Sequence, residues 1–252
     1  MLFIFILLIL VALLLLRLAL LQYHSYKIRK KGEKGEKSVH KILASLPKTK
    51  YKIIDDVLLK VNQRTTQIDH IVVSRYGVFV IETKNYKGTI TGNEHSEQWT
   101  QYLAGQTYSF YNPIKQNKTH LYAVSRFTKR YEKLPLVSIV AFSKNSKLQV
   151  ISDTEVVNFG RLYKTIRKYR RKRISKEEML FIYESILNAN MTKKQDHKEH
   201  VHSVKSNIKV YEKNIKKRIC PRCGSKLVKR KIKRRKALIC KRKKKCGFIY
   251  YL

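Results

Sequence analysis

Two β-branched runs constrain this chain more than any other feature: Gln67-Ile68-Asp69-His70-Ile71-Val72-Val73 and Gly77-Val78-Phe79-Val80-Ile81-Glu82-Thr83-Lys84. The Ser-Arg-Tyr-Gly stretch at 74–77 between them predicts a hairpin. With residues 73 and 78 paired across the turn, Asp69 falls opposite Glu82. Directly opposed residues of an antiparallel pair have β-carbons about 5 Å apart on one face. Period-two alternation adds Ile71, Val80 and Lys84 to that face. The register therefore predicts two carboxylates and an ammonium within reach of a common point. His70 points to the other face and is read as packing.

Opposed carboxylates repel, and a sheet tolerates them only when something compensates. Lys84 supplies one positive charge. A divalent cation would supply more and would take oxygen ligands from both acids. The plainer alternative is a surface ion-pair cluster. However, Gly-Val-Phe-Val-Ile reads as an internal strand, and an internal strand ending in Glu-Thr-Lys is better explained as a site. A metal on Asp69 and Glu82 would polarise a phosphoryl oxygen and acidify a bound water. Lys84 would orient or help deprotonate that water and balance charge. Glu36, on a helix expected over 32–46 with a glycine-rich start, would reach the metal directly or through water. Magnesium suits such an oxygen site, with manganese as substitute.

Acids are scarce in this chain. It holds 56 Lys and Arg against 17 Asp and Glu in 252 residues, a formal charge of +39. Such a charge argues for a polyanionic partner, nucleic acid or an anionic membrane surface. Residues 1–21 are apolar apart from Arg17 and, as a helix, span roughly 30 Å, about one bilayer core. No Lys or Arg precedes this run, and Lys27, Arg29, Lys30 and Lys31 follow it. The positive-inside rule places the N-terminus outside and the remainder in the cytoplasm of a single-pass cell-membrane protein. A cleaved signal peptide would want positive charge before the run and small residues after it, and neither is present.

Further strands are expected at 51–61, 87–92, 136–142 and 148–151. Helices are expected at about 113–131, 155–170 and 175–189. The polar stretch 191–214, with His197, His200 and His202 among lysines, reads as a linker rather than a histidine metal site. The expected division is an anchor at 1–22, a core domain at 32–190, this linker, and a small module at 215–252.

All four cysteines lie in that last module. Cys220-Pro221-Arg222-Cys223-Gly224 forms one knuckle; Cys240 and Cys246 supply the second pair. Four thiolates so spaced bind structural zinc tetrahedrally, and the predicted reducing compartment disfavours disulfides. Residues 211–252 carry 18 Lys and Arg and one acid, Glu212. Phosphate contacts by these cations would make binding steeply salt-dependent. Phe248, Tyr250 and Tyr251 offer base-stacking rings, although Phe248 is better read as ribbon packing.

Gly32-Glu33-Lys34-Gly35-Glu36, the two runs of the hairpin continuing through Asn85-Tyr86-Lys87-Gly88, Trp99, and Asn112-Pro113-Ile114-Lys115-Gln116-Asn117 together resemble the NERD (nuclease-related) domain of the PD-(D/E)XK restriction-endonuclease-like superfamily. The resemblance implies an α/β fold with a restriction-endonuclease-like mixed sheet flanked by helices. It puts Asp69, Glu82 and Lys84 in the superfamily's catalytic positions and suggests roles for Glu36 and Gln116. Ile68 stands where the superfamily name has proline. The cysteine module resembles the zinc ribbon at the C-terminus of bacterial type I topoisomerases, a single-stranded-DNA-binding unit, with Gly247 closing the motif. The function these features imply is membrane-anchored, magnesium-dependent hydrolysis of DNA. The alternatives are a tethered nucleic-acid-binding protein that does not cut, and a basic membrane-surface scaffold.

Overall fold

The computed structural model describes residues 2–232 and 235–252. It opens with one 43-residue helix, α1 (Leu2–Ala44). The helix does not begin afresh at Gly32 as its sequence suggested. No proline interrupts residues 22–31, and Glu33 reaches back one turn to Arg29 at 3.5 Å and Lys30 at 3.3 Å, bridging Gly32. The helix is fully exposed over its apolar part, which is long and apolar enough to cross a membrane.

The chain continues through β1 (Tyr51–Val61), β2 (Arg64–Ser74), β3 (Gly77–Lys84), β4 (Gly88–Asn93), β5 (Gln98–Leu103) and β6 (Gln106–Tyr111) to helix α2 (Pro113–Thr128). Next come β7 (Leu136–Phe142), β8 (Ser146–Ile151), β9 (Glu155–Asn158) and helices α3 (Phe159–Arg167) and α4 (Lys176–Ala189). The helix expected from about 155 thus starts four residues late; the β-branched pair Val156-Val157 adds a strand instead. Helix α5 (Lys194–Lys216) leads into β10 (Leu227–Ile232), β11 (Arg235–Cys240), the single turn α6 (Lys243–Cys246) and β12 (Ile249–Tyr251).

The principal sheet has the order β1-β2-β3-β7-β9. Its first three strands are antiparallel; β7 and β9 join in parallel. One face packs Ile71, Val73, Val78 and Val80 against Val124 of α2 and Met179 and Ile182 of α4. The other packs Val72, Phe79 and Ile81 against Val39 and Leu43 of α1 and Leu162 and Ile166 of α3. This is a mixed α/β core with helices on both sides. A second sheet, β6-β5-β4-β8, buries Trp99, which stacks on Phe142 at 6.1 Å. The third, β10-β11-β12, forms the cysteine-bearing ribbon around Leu227, Leu238 and Phe248.

The stretch read as a linker is helical: α5 spans most of it. Val201, Val204, Ile208, Tyr211 and Ile215 recur at three- and four-residue steps, a helical stripe within a polar composition. Tyr211 and Ile215 pack into the ribbon, whose core therefore begins inside the helix.

Candidate active site

The hairpin takes the expected register, with Val73 opposite Val78 and His70 opposite Ile81. The next step along both strands brings Asp69 and Glu82 together. The neighbouring strand β1 is kinked at this level. Asp56 takes a φ of 51° between the Asp55–His70 and Val57–Ile68 pairs. Left-handed backbone is uncommon outside glycine, although aspartate tolerates it better than most.

Glu82 is the most enclosed acid of the site, 2 % exposed. Its Oε1 lies 2.7 Å from Lys84 Nζ, and Nζ also donates to Gln116 Oε1 at 3.0 Å. Its Oε2 lies 3.1 Å from His120 Nε2, and His120 Nδ1 is 2.7 Å from Thr66 Oγ1. Asp69 Oδ2 accepts from the Thr83 backbone N–H at 2.7 Å. The structure thus gathers Asp69, Glu82, Lys84 and Gln116 at one place.

Electrostatics separate the two strand acids. Burial, reinforced by the Glu82 charge, pushes the Asp69 carboxyl well above the usual carboxylate range. Burial also works against the Glu82 charge, but Lys84 and His120 outweigh it and hold that carboxyl below its usual range. For Lys84, burial opposes protonation and Glu82 overcomes it, so the ammonium titrates above its ordinary value. A charged, fixed ammonium is suited to stabilising negative charge rather than to accepting a proton. A divalent cation would offset both the burial and the Glu82 repulsion that raise the Asp69 carboxyl, and both donors are the hard oxygens that magnesium and manganese prefer. The donor chemistry of the pair fits such an ion.

Glu36 stands at the side of this group. The residue as a whole borders solvent, but its carboxyl is partly enclosed, and this enclosure with the nearby Asp56, Glu33 and Glu82 charges raises it, with His70 opposing. Its helix comes close because residue 35 is glycine. A β-carbon on Gly35 would sit 2.6 Å from Asn85 Cβ, so no larger residue admits this approach.

The motif Asn112-Pro113-Ile114-Lys115-Gln116-Asn117 sets the position of α2. The Asn112 side chain accepts from Ile114 N and donates to the carbonyls of Asn93, Glu94 and Ser96. Pro113 takes the first turn, where its missing N–H costs nothing. Asn117, fully buried, donates to Val80 O at 2.9 Å and Ser138 Oγ at 2.8 Å, pinning the helix to β3 and β7.

The reading from sequence overlooked His120. Its signal was the four-residue step from Gln116, which puts both on one helix face. His70, read as packing, is indeed buried, but it also hydrogen-bonds. Its Nδ1 lies 2.6 Å from Asp55 Oδ1, whose Oδ2 lies 2.6 Å from His40 Nδ1. Among the described residues His70 Nε2 is buried without a hydrogen-bond partner.

The cysteine module brings its four thiols together. Cys220, Cys223, Cys240 and Cys246 place their Sγ atoms within 4.8 Å of one another. Cys220 and Cys246 are 3.6 Å apart, and Cys223 and Cys240 are 3.4 Å apart. These separations approach the edge of a tetrahedron with metal–sulfur bonds of about 2.3 Å, so the set is able to hold an ion such as zinc. The module also touches the core domain. Arg222, inside the first knuckle, donates Nη1 to the Cys246 carbonyl at 2.6 Å and pairs through Nη2 with Glu97. Glu97, 7 % exposed in its side chain, is also 2.5 Å from Lys115 of α2.

The family model described as "Nuclease-related domain" matches residues 31–143. An uncharacterised protein of Bacillus anthracis is 36 % identical over 176 residues, which cover 68 % of this chain and 82 % of that protein. No solved structure matches.

Proposed function

This chain belongs to the nuclease-related (NERD) domain family, and we propose from that premise that it is a membrane-anchored, metal-dependent nuclease that hydrolyses DNA phosphodiester bonds. The observation that carries the reading is the placing of Asp69 beside Glu82, with Lys84 held between Glu82 and Gln116. A metal-binding role accounts for a pair of neighbouring acids that the isolated sheet would penalise.

Asp69 and Glu82 would hold a magnesium or manganese ion, which supplies Lewis acidity and an acidified water when bound. Lys84 presents a fixed positive charge to the scissile phosphate, and Gln116 fixes its direction. Glu36 supports from the side of α1, and His120 sets the orientation of Glu82. The four cysteines would hold a structural zinc ion, and the ribbon around them would bind DNA through its cations. Residues 1–22 anchor the protein, with the N-terminus outside and the soluble parts in the cytoplasm. The working units are then the anchor, a nuclease-related domain with its C-terminal helices at 32–190, the connecting helix, and the ribbon.

One observation favours a second reading, a tethered nucleic-acid binder that does not cut. Both Glu82 oxygens are already engaged, by Lys84 and His120. Cleavage of labelled single- and double-stranded DNA by the full chain in detergent decides between the two. The expected result is magnesium-dependent cutting that chelator stops and that Asp69→Ala and Glu82→Ala abolish. Equal cutting by both variants removes the site assignment. DNA binding without cutting on every substrate establishes the second reading.

A further inference from the structure

The outer face of the second sheet has an unusual chemistry for so basic a chain. Its strand register aligns Gln149 with Thr91, Thr91 with Thr100, and Thr100 with Ser109, one row of amide and hydroxyl groups across all four strands. This row floors a cleft of about 620 Å³. Ile232 and Tyr251 of the ribbon form its opposite side. Among the described residues no lysine, arginine, aspartate or glutamate lines it, although the chain carries 56 Lys and Arg.

Gln98 also lines the cleft, and among the described residues its Oε1 is buried with no hydrogen-bond partner. A buried acceptor without a donor is costly, and a turn of the Gln98 amide toward the cleft would offer it to a ligand N–H. Cations stand around the cleft rather than in it. Arg230 is exposed on β10 in the cross-strand row of Ala237 and Tyr251 and on the face of Ile232, and Lys147 is exposed two residues before Gln149 on the same face of β8. A neutral, hydrogen-bonding floor with one tyrosine, framed by positive charge, matches a polymer whose charges lie outside and whose neutral edges lie inside.

We propose that this cleft seats unpaired nucleobases of a single nucleic-acid strand, a proposal that rests on the nucleic-acid reading above. Tyr251 stacks on a base, and the amides and hydroxyls of the floor meet base edges. The flanking Lys147 and Arg230 hold the phosphates. A duplex keeps its Watson–Crick edges paired and has none to offer the floor. The cleft's position ties it to the candidate active site. Asn93 and Ser96 at its rim accept from Asn112, which opens the helix carrying Gln116 and His120. Arg222 and Glu97 fix the ribbon against the same helix through Lys115.

The test measures binding of labelled oligothymidylate and of a labelled duplex to the full chain in detergent, across a salt series without added magnesium. Tyr251→Ala removes the stacking ring. Ser109→Trp fills the cleft from an exposed position outside the ribbon, so its result does not depend on ribbon folding. Each variant should weaken single-strand binding about fivefold or more, with duplex binding held and the salt slope unchanged, because no cation is lost. Lys147→Ala with Arg230→Ala should instead flatten the salt slope for both forms. If wild type binds or cuts DNA but both cleft variants match it on the single strand, the cleft assignment alone is overturned. If wild type neither binds nor cuts any nucleic acid, the cleft and the nuclease reading fall together.

Discussion

His120 holds Glu82 through Nε2 at 3.1 Å while its own Nδ1 is fixed 2.7 Å from Thr66 Oγ1. Three elements, α2, β2 and β3, therefore orient one carboxylate. His120→Ala leaves Glu82 and Thr66 each short of a buried partner, at a cost of about 1–3 kcal/mol in stability. We expect kcat for DNA cleavage to fall tenfold or more, on the order of 1.4 kcal/mol or above in the barrier, with KM little changed. Steady-state kinetics beside thermal unfolding measures both effects. Wild-type kcat in a folded variant would remove His120 from the site.

Asp55 joins two histidines, and its carboxyl sits below the usual range: burial opposes the charge, but the His70 and His40 contacts outweigh it. A depressed folded-state pKa stabilises the protein above the unfolded value near 3.8, and that contribution is lost as pH falls through the lower folded value. Asp55→Asn should therefore be less stable than wild type at neutral pH, with the gap closing at acid pH. Unfolding followed in denaturant across that range tests it. A gap constant with pH would mean that the histidine contacts of Asp55 contribute nothing.

Gly35→Ala would push a methyl group to within 2.6 Å of Asn85 Cβ. Overpacking of this kind costs about 1–3 kcal/mol. The helix should shift away from β3 and carry Glu36 with it, so cleavage should drop along with the melting temperature. An unchanged melting temperature would show that α1 and β3 approach less closely than 2.6 Å contact requires.

Arg222 joins the two halves of the cysteine module to Glu97. Arg222→Ala should leave the metal content intact but loosen the ribbon, seen as faster limited proteolysis between α4 and β10. Cys220→Ser with Cys223→Ser should lose the bound metal as well. Metal analysis should find one zinc ion per chain in wild type and in the arginine variant. Protease resistance equal to wild type in Arg222→Ala would mean that the Glu97 contact does not hold the ribbon in place.

The hairpin register was legible because β-branched runs with a short turn admit little slippage, and alternation then dictates which side chains share a face. The cysteine cluster was legible from spacing alone. His120 was harder to find: its partners Glu82 and Thr66 lie 38 and 54 residues away, and a histidine inside a helix announces no partner. Helix α5 was hidden by lysine-rich composition, although Val201, Val204 and Ile208 already carried the helical step. The Glu97–Arg222 contact spans 125 residues and depends on how two sheets meet, which no local pattern encodes.

Helix α1 runs without a break from the apolar segment to Glu36. At 1.5 Å per residue, Glu36 stands about 20 Å beyond Gln22, a fixed altitude above the headgroups once residues 1–21 lie in a bilayer. The acids of the candidate site would then sweep a thin layer parallel to the membrane. Polymer passing through or lying along that layer is within their range, whereas polymer in the bulk must first come to the surface.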